Sequence, residues 1–332
     1  MELAREGAEL CRSAGRASSD CQKAKGVGLD VVVFNGALGG ATLDKWDPTP
    51  QGYYATHNEC PDVGGTLSNP QECNYIRVHT DLVYNGFSDH QVQAVFIKSS
   101  TSYPQCDLKR QHCTTIPPFD PDAYQAERYL GNIVRYLKCC KLDLDGNSSG
   151  VPRYPNLQMV FVTSRTYGGY AVNPPEDSSD PTAGCLMPEP FAFEEGIAVQ
   201  RLIVAQINQA GGVNNNPDEY AGPLTYDVAP WVDWGPYLWA DGTTPSSGSG
   251  LNWCDSTTNR DPLCQAQGNP GDFRYGDLAE GYTQFWGDHT HPTAWAAQKV
   301  ANQLVKFIKG GLNGLGGPQQ NISNWVTPWI QR

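Results

Sequence analysis

Short apolar runs alternate along this chain with segments of helical periodicity, and that alternation restricts the possible folds more than any other feature. The apolar runs span residues 29–34, 92–98 and 158–164, and helical patterns occupy residues 122–141 and 191–209. Strands that alternate with helices form βα units around a largely parallel sheet. We therefore predict an α/β domain in which ligands bind beyond the carboxyl ends of the strands.

The remaining sequence predicts one domain with long loops. Residues 1–16 have the pattern of an amphipathic helix, and residues 47–75 and 211–285 are predicted to be loops, the second of them rich in aromatic residues. A loop of that length in a compact domain usually carries function. We expect a single domain over residues 1–310 and a C-terminal tail over residues 311–332.

The composition excludes several classes of partner and places the protein outside the cytoplasm. A net charge of −12 argues against nucleic acid or an anionic membrane as partner. The chain has no apolar run of about 18 residues, so we expect no membrane span. Asn147 and Asn321 stand in N-glycosylation acceptor patterns, which occur in secreted proteins. The charged residues after Met1 do not form a signal peptide, although the rest of the sequence is typical of a secreted protein.

Eleven cysteines indicate a protein with disulfide-stapled loops in an oxidising compartment. No CxxC spacing accompanied by histidines is present, so we expect no zinc site. Six cysteines stand in close pairs across loop-like sequence, which favours local disulfides: Cys60 and Cys73, Cys106 and Cys113, Cys254 and Cys264.

A carboxylate and an imidazole precede the last predicted helix. Asp288 stands three residues before His291, which is followed by Pro292 and a helical pattern over residues 293–309. In such an arrangement the carboxylate fixes the tautomer of the histidine, which then accepts a proton from a nucleophile. The alternative is a turn in which Asp288 caps the helix and His291 is an ordinary surface residue.

A glycine-rich loop follows the first apolar run. Residues 35–42 include Gly36, Gly39 and Gly40, which allow a backbone N–H to approach a substrate closely, as an oxyanion hole requires. A phosphate-binding loop and a plain tight turn are the alternatives, although the spacing does not fit the dinucleotide-binding pattern.

Taken together, these two motifs resemble the SGNH (GDSL-like) hydrolases. The resemblance covers residues 29–308 in element order, with residue-level matches at the two motifs, and residues 155–167, 188–194 and 234–242 look like a secreted branch of that family. It implies a three-layer, flavodoxin-like α/β/α fold and acyl transfer to a serine and then to water. His291 would be the general base and then the general acid, Asp288 would orient it, and the N–H of Gly40 would hold the oxyanion.

Two family motifs depart from this pattern. The asparagine that supplies a side-chain oxyanion donor is absent near residues 99–102, where Thr101, Ser100 or Lys98 would take its place. No serine follows a first strand either, so we expect the nucleophile and that strand to lie upstream of Met1. The alternative is a protein that has lost its serine.

The cost of losing a central strand favours the presence of an upstream strand. The first strand of a flavodoxin-like sheet is central. Its loss would expose some four to six apolar side chains at roughly 1.5–3 kcal/mol each, which approaches the whole stability of a domain, about 5–15 kcal/mol.

The aromatic residues of the long loop have two interpretations. Clustered Trp and Tyr side chains either form a stacking floor for sugar rings or pack the loop onto the sheet. Arg165 either binds a substrate carboxylate or pairs with Glu194. The candidate substrate-binding residues are Asn35, Arg165, Tyr167, Tyr237, Trp239 and Asp241.

The sequence thus predicts a secreted carboxylic ester hydrolase that acts on a small-molecule or glycan ester, with carbohydrate O-acyl groups as the favoured substrates. No metal or organic cofactor is expected. The main alternative is a non-catalytic glycan- or surface-binding protein with the same fold, and a more remote one uses Ser100 of this chain as nucleophile.

Overall fold

A computed structural model describes ten parts of the chain: residues 32–38, 40–50, 52, 72–101, 121–142, 148–169, 191–244, 251–254, 271–272 and 292–308. Within them lie five α-helices, which are α1 (Leu43–Trp46), α2 (Cys73–Tyr84), α3 (Pro121–Lys138), α4 (Phe191–Ala210) and α5 (Ala294–Ile308). The five strands are β1 (Ala94–Lys98), β2 (Cys140–Leu142), β3 (Ser148–Pro152), β4 (Met159–Thr163) and β5 (Trp231–Trp234).

The central sheet is parallel and has the order β1-β4-β5. Ala94 pairs with Met159 at one end of the β1–β4 ladder, and Lys98 pairs with Thr163 at the other. The crossover from β1 to β4 contains α3, and the crossover from β4 to β5 contains α4. This arrangement confirms the prediction of an α/β protein with a parallel sheet. Strands β2 and β3 form a separate antiparallel pair.

Helices cover both faces of the sheet. On one face, Ile97, Val160 and Val232 belong to the main core with residues of α2, α3 and α4, including Leu82, Leu130 and Leu202. On the opposite face, Phe307 of α5 contacts the rings of Phe96 and Phe161, with centroids 5.8 and 4.9 Å away. Strands buried on both faces are apolar along their whole length, which explains why the run around residues 159–163, in the buried strand β4, was recognisable in the sequence.

The prediction of a strand over residues 29–34 is wrong for the residues that the structure describes. Residues 32–34 form no strand, and Val32 and Val33 are 52% and 56% exposed. No described strand lies beside them to supply a ladder partner or to cover their side chains, and β-branched sequence forms a strand only when it is paired and packed.

Two predicted loops contain regular structure. The region assigned as the loop 47–75 ends inside α2, and β5 lies within the predicted loop 211–285. The predicted helix at residues 1–16 and the predicted tail at residues 311–332 lie outside the described residues.

Three cysteines are disulfide-bonded, namely Cys73, Cys139 and Cys254. Cys60 and Cys264 lie outside the described residues, so the pairings of Cys73 with Cys60 and of Cys254 with Cys264 stay predictions. The described helices include none that is long and apolar enough to cross a membrane. Nor do the described residues contain a cluster of three or more His, Cys, Asp or Glu side chains able to hold a metal ion.

A partly buried ion pair joins the two crossover helices. The carboxylate of Glu127 on α3 is fully buried and accepts a hydrogen bond from Nε of Arg201 on α4 at 2.5 Å. Burial raises the pKa of Glu127 to about 7; Arg201 opposes that rise and Asp218 adds to it. The folded state therefore binds this proton more tightly than the unfolded chain does.

This pKa predicts a loss of stability as the pH rises. The contribution of Glu127 to the free energy of unfolding is fully present below the unfolded pKa near 4.5 and is lost as the pH rises through about 7. The total loss is about 3 kcal/mol. We expect the free energy of unfolding, measured by urea titration, to fall over this window and to fall less in Glu127→Gln. Glu219→Gln, which removes an exposed carboxylate, is the control and should keep the wild-type slope. An unchanged slope in Glu127→Gln would contradict the assignment.

Candidate active site

The carboxyl ends of two of the parallel strands, β1 and β4, carry polar residues. β1 is followed by Ser99, Ser100 and Thr101, and β4 by Ser164 and Arg165. Because the strands are parallel, these residues lie along one edge of the sheet, which we call the carboxyl edge. Ligands of open α/β sheets bind at this edge.

The glycine-rich loop docks on the carboxyl edge. The N–H of Leu43 donates to the carbonyl of Ser100 at 2.8 Å, and the hydroxyl of Ser99 donates to the carbonyl of Ala41 at 3.2 Å. Gly40, next to Ala41, has a φ of +72°, in the left-handed region that favours glycine. It is exposed, and among the described residues, its chain neighbours apart, no heavy atom lies within 4 Å of the position that a Cβ would occupy. The loop thus holds Gly40 at the end of β1 with open space beside it.

Local hydrogen bonds shape this loop. Oδ1 of Asn35 accepts from the N–H of Ala37 at 2.9 Å, and Nη2 of Arg77 donates to the carbonyl of Gly36 at 2.8 Å. Nζ of Lys45 donates to the carbonyl of Gly40 at 2.9 Å. Asn35, predicted to bind substrate, therefore supports the turn with its side-chain oxygen.

Thr101 is engaged by a buried carboxylate. Its N–H and its hydroxyl both donate to Oε1 of Glu195, at 2.9 and 3.1 Å. Both residues are buried, and Glu195 lies in the first turns of α4. This geometry gives Thr101 a structural role rather than that of an oxyanion donor. The hydroxyl of Ser100, which is half-buried, is the other predicted oxyanion donor in this segment.

The residues after β4 are buried although they are polar. Ser164, Arg165 and Thr166 are 2%, 8% and 4% exposed, and Glu194 at the start of α4 is also buried. The hydroxyls of Ser164 and Thr166 have no hydrogen-bond partner in the part of the chain that the structure describes. A buried hydroxyl without a partner is costly and is found at functional sites. Glu195 and Thr166 were not predicted from the sequence; the available signal for Glu195 was the pair of carboxylates at the start of an otherwise apolar helix.

The aromatic residues combine packing with partial exposure. Tyr167 is buried and stacks on Trp239, with ring centroids 5.9 Å apart and planes at 14°. The N–H of Tyr167 donates to the carbonyl of Leu238 at 3.3 Å, so the two segments continue side by side beyond β4 and β5. Trp239 and Tyr237 are half-buried and Asp241 is exposed. Packing thus accounts for Tyr167, whereas the other three present surface to solvent.

Helix α5 begins at the carboxyl edge because it runs antiparallel to the strands. Phe307, near its C-terminal end, contacts Phe161 in the middle of β4. Ala296 and Val300, in its N-terminal half, share an apolar cluster with Leu238, which follows the carboxyl end of β5. The predicted helix over residues 293–309 is therefore confirmed, and its first turn lies on the side of the sheet that Gly40 occupies.

The start of α5 is fixed by a buried aspartate. The N–H of Thr293 donates to the carbonyl of Asp272 at 2.8 Å, and its hydroxyl donates to the carbonyl of Gly271 at 2.8 Å. The carboxylate of Asp272 accepts from Nζ of Lys299 at 2.5 Å and from the N–H of Cys254 at 2.7 Å. Asp288 and His291, the predicted catalytic pair, lie outside the described residues.

No family model matches the chain, and neither does any curated protein or solved structure. A functional assignment therefore depends on the residues of the carboxyl edge and on their geometry.

Proposed function

We propose that this chain is most of the catalytic domain of a carboxylic ester hydrolase with a Ser-His-Asp mechanism of the SGNH type. One observation carries the proposal: the Gly40 loop and the start of α5 lie at the same carboxyl edge. The glycine-rich loop and the helix that follows the Asp288–His291 motif thus lie at the edge where such folds bind ligands, which supports the proposal.

The position of the start of α5 supports the proposal that the acid–base pair acts at this edge. His291 stands two residues before Thr293, and two residues span at most about 7 Å. The hydrogen bonds of Thr293 to Gly271 and Asp272 fix the position of Thr293, so His291 must lie within that distance of it. In the proposed mechanism His291 takes the proton of the nucleophile and returns it to the leaving alcohol, and Asp288 orients its ring.

Gly40 is the proposed oxyanion donor. Its positive φ and its open surroundings suit a backbone N–H that points at a substrate oxygen. A donor held in place before the reaction stabilises the negative charge of the tetrahedral intermediate without reorganisation. Ser100, on the adjoining end of β1, is the second proposed donor.

The nucleophile is proposed to come from a turn that follows a strand upstream of residue 1. A sheet ordered β1-β4-β5, with α3 and α4 on one face and α5 on the other, suits the flavodoxin-like arrangement, in which the first strand pairs with the free edge of β1. That arrangement places the end of the first strand beside the end of β1.

Carbohydrate O-acyl groups are the proposed substrates. Half-buried Tyr237 and Trp239 offer ring surface to a sugar, and the exposed carboxylate of Asp241 offers acceptors for its hydroxyls. The disulfide bonds of Cys73, Cys139 and Cys254 support an extracytoplasmic location.

The direct test measures acetate released from O-acetylated xylan by the protein expressed from the natural start of its gene. We expect saturable turnover by that protein, and little or none by the 332-residue chain when it is expressed alone. Absence of turnover on acetylated xylan and on 4-nitrophenyl acetate alike would overturn the proposal.

A glycan-binding protein without catalysis is the second candidate. The structural use of the hydroxyls of Ser99 and Thr101 favours it, because neither is free to act as nucleophile. This candidate predicts that the protein binds xylan oligosaccharides without hydrolysing them and that His291→Ala leaves the affinity unchanged.

A further inference from the structure

A single buried carboxylate fastens the segment after β1 to the first turns of α4. Oε1 of Glu195 accepts hydrogen bonds from the N–H and from the hydroxyl of Thr101, at 2.9 and 3.1 Å. Both residues are only 4% exposed. Such bonds are costly to break, because a buried polar group that loses its partner bears the full cost of its desolvation. Glu195 therefore fixes both the backbone and the side chain of Thr101.

The same segment is also bonded to the glycine-rich loop. The hydroxyl of Ser99 donates to the carbonyl of Ala41 at 3.2 Å, and the N–H of Leu43 donates to the carbonyl of Ser100 at 2.8 Å. Ser100 thus lies between two neighbours whose hydroxyls are both bonded, one to the glycine-rich loop and one to α4. Because Ala41 adjoins Gly40, the bonds that hold this segment also act on the position of Gly40.

Both proposed oxyanion donors, Gly40 and Ser100, belong to this bonded unit. A donor stabilises the tetrahedral intermediate only if it is in place before the reaction, and a misplacement of about 1 Å can lower a rate by about 100-fold. The proposed sugar-binding residues Tyr237 and Trp239 lie in another segment, after β5. A contact that places the donors should therefore act on the transition state and leave ground-state binding of the substrate nearly unchanged.

We infer that Glu195 is a positioning residue for the oxyanion hole, because it holds Thr101 and thereby places Ser100 and Gly40 at the carboxyl edge. The inference rests on the proposed function, since it concerns the donors of that mechanism. Both bonds of Thr101 go to one oxygen atom of Glu195. An amide also offers such an oxygen, so the role requires an acceptor at position 195 and not a negative charge.

The test compares Glu195→Ala with Glu195→Gln in the full-length protein that tests the proposed function. Acetate release from O-acetylated xylan gives kcat and KM separately. Alanine removes the acceptor, so we expect kcat to fall by roughly 30- to 100-fold and KM to change by less than about twofold. Glutamine keeps the acceptor and should hold kcat within about threefold of the parent value.

Two further variants separate this role from a general effect on stability. Glu127→Ala removes a carboxylate that is also buried and that is bonded to Arg201 at 2.5 Å, between the crossover helices. It should lower the melting temperature and leave kcat unchanged. Thr101→Val removes the hydroxyl but keeps the N–H bond to Glu195, so it should lower kcat by only about 3- to 10-fold. This milder variant tests the same contact if Glu195→Ala does not fold.

Two results would overturn the inference while the proposed function stands. In the first, the parent is active, and Glu195→Ala and Thr101→Val lower the melting temperature but leave kcat at the parent value. In the second, Glu195→Gln loses as much activity as Glu195→Ala, which would assign the role to the negative charge. A parent protein without turnover would overturn the proposed function and this inference with it.

Discussion

Replacement of His291 by alanine is expected to lower kcat/KM for an O-acetylated substrate by about 10³-fold or more in the protein expressed from its natural start. Without the imidazole, no group accepts the proton of the nucleophile or returns it to the leaving alcohol. Asp288→Asn should cause a comparable loss, because an amide holds the imidazole in the wrong tautomer. Acetate release from acetylated xylan, measured over a range of substrate concentrations, gives kcat and KM separately.

His289→Ala is the matched control for this prediction. It removes the same side chain two positions away, where neighbouring residues of a loop usually face apart, and it should keep nearly full activity. The melting temperatures of the His291→Ala and His289→Ala proteins should agree with that of the parent, so that a loss of turnover reports on catalysis. Equal activity of the two variants would show that His291 is not the base.

Replacement of Arg153 by alanine is expected to destabilise the fold by about 3–5 kcal/mol, because it leaves a buried carboxylate without its charged partner. Nη2 of Arg153 donates to Oε1 of Glu72 at 2.7 Å and to the hydroxyl of Tyr136 at 3.1 Å. The guanidinium also lies over the rings of Tyr75 and Tyr136, 5.5 and 5.4 Å from their centroids. These contacts tie the segment that leads into β4 to α2 and α3. Urea unfolding measures the loss.

Arg128→Ala is the control for the buried pair. Arg128 also lies near an aromatic ring, that of Tyr220 at 5.9 Å, but it is exposed, so its loss should cost less than about 1 kcal/mol. Replacing both members of the buried pair by apolar residues, Glu72→Leu with Arg153→Met, should recover much of the stability. A small effect of Arg153→Ala alone would contradict this prediction, because it would show that water or a rearrangement stabilises the unpaired carboxylate of Glu72.

The part of the fold that sequence could predict is the part in which burial and periodicity agree. β4 is buried along most of its length and has an apolar sequence, β1 is apolar except for Lys98 although it is only partly buried, and α3 and α4 present regular apolar stripes. α2 was not predicted, because its buried positions include the polar residues Asn74 and Arg77, which interrupt the apolar pattern. β5 is four residues long, with Asp233 in its middle, and is too short to stand out from the surrounding aromatic sequence.

The candidate site was predictable only where a local motif fixes geometry. The glycine-rich sequence predicts a turn, and in the structure the loop that contains Gly40 lies at the carboxyl edge. The bond between Thr101 and Glu195 joins residues 94 positions apart, and no local pattern reveals such a contact. The strand predicted over residues 29–34 was wrong at Val32 and Val33. Their β-branched side chains suit a strand, but no described strand pairs with them.

Labelling the natural-start protein with a fluorophosphonate, followed by mass spectrometry of its peptides, tests the central claim most directly. Such a reagent modifies only a serine that a neighbouring base activates. The account predicts one adduct, on a serine upstream of residue 1 in the turn that follows an apolar strand, and no adduct in His291→Ala. An adduct on Ser100, or no adduct on a protein that still binds glycans, would contradict it.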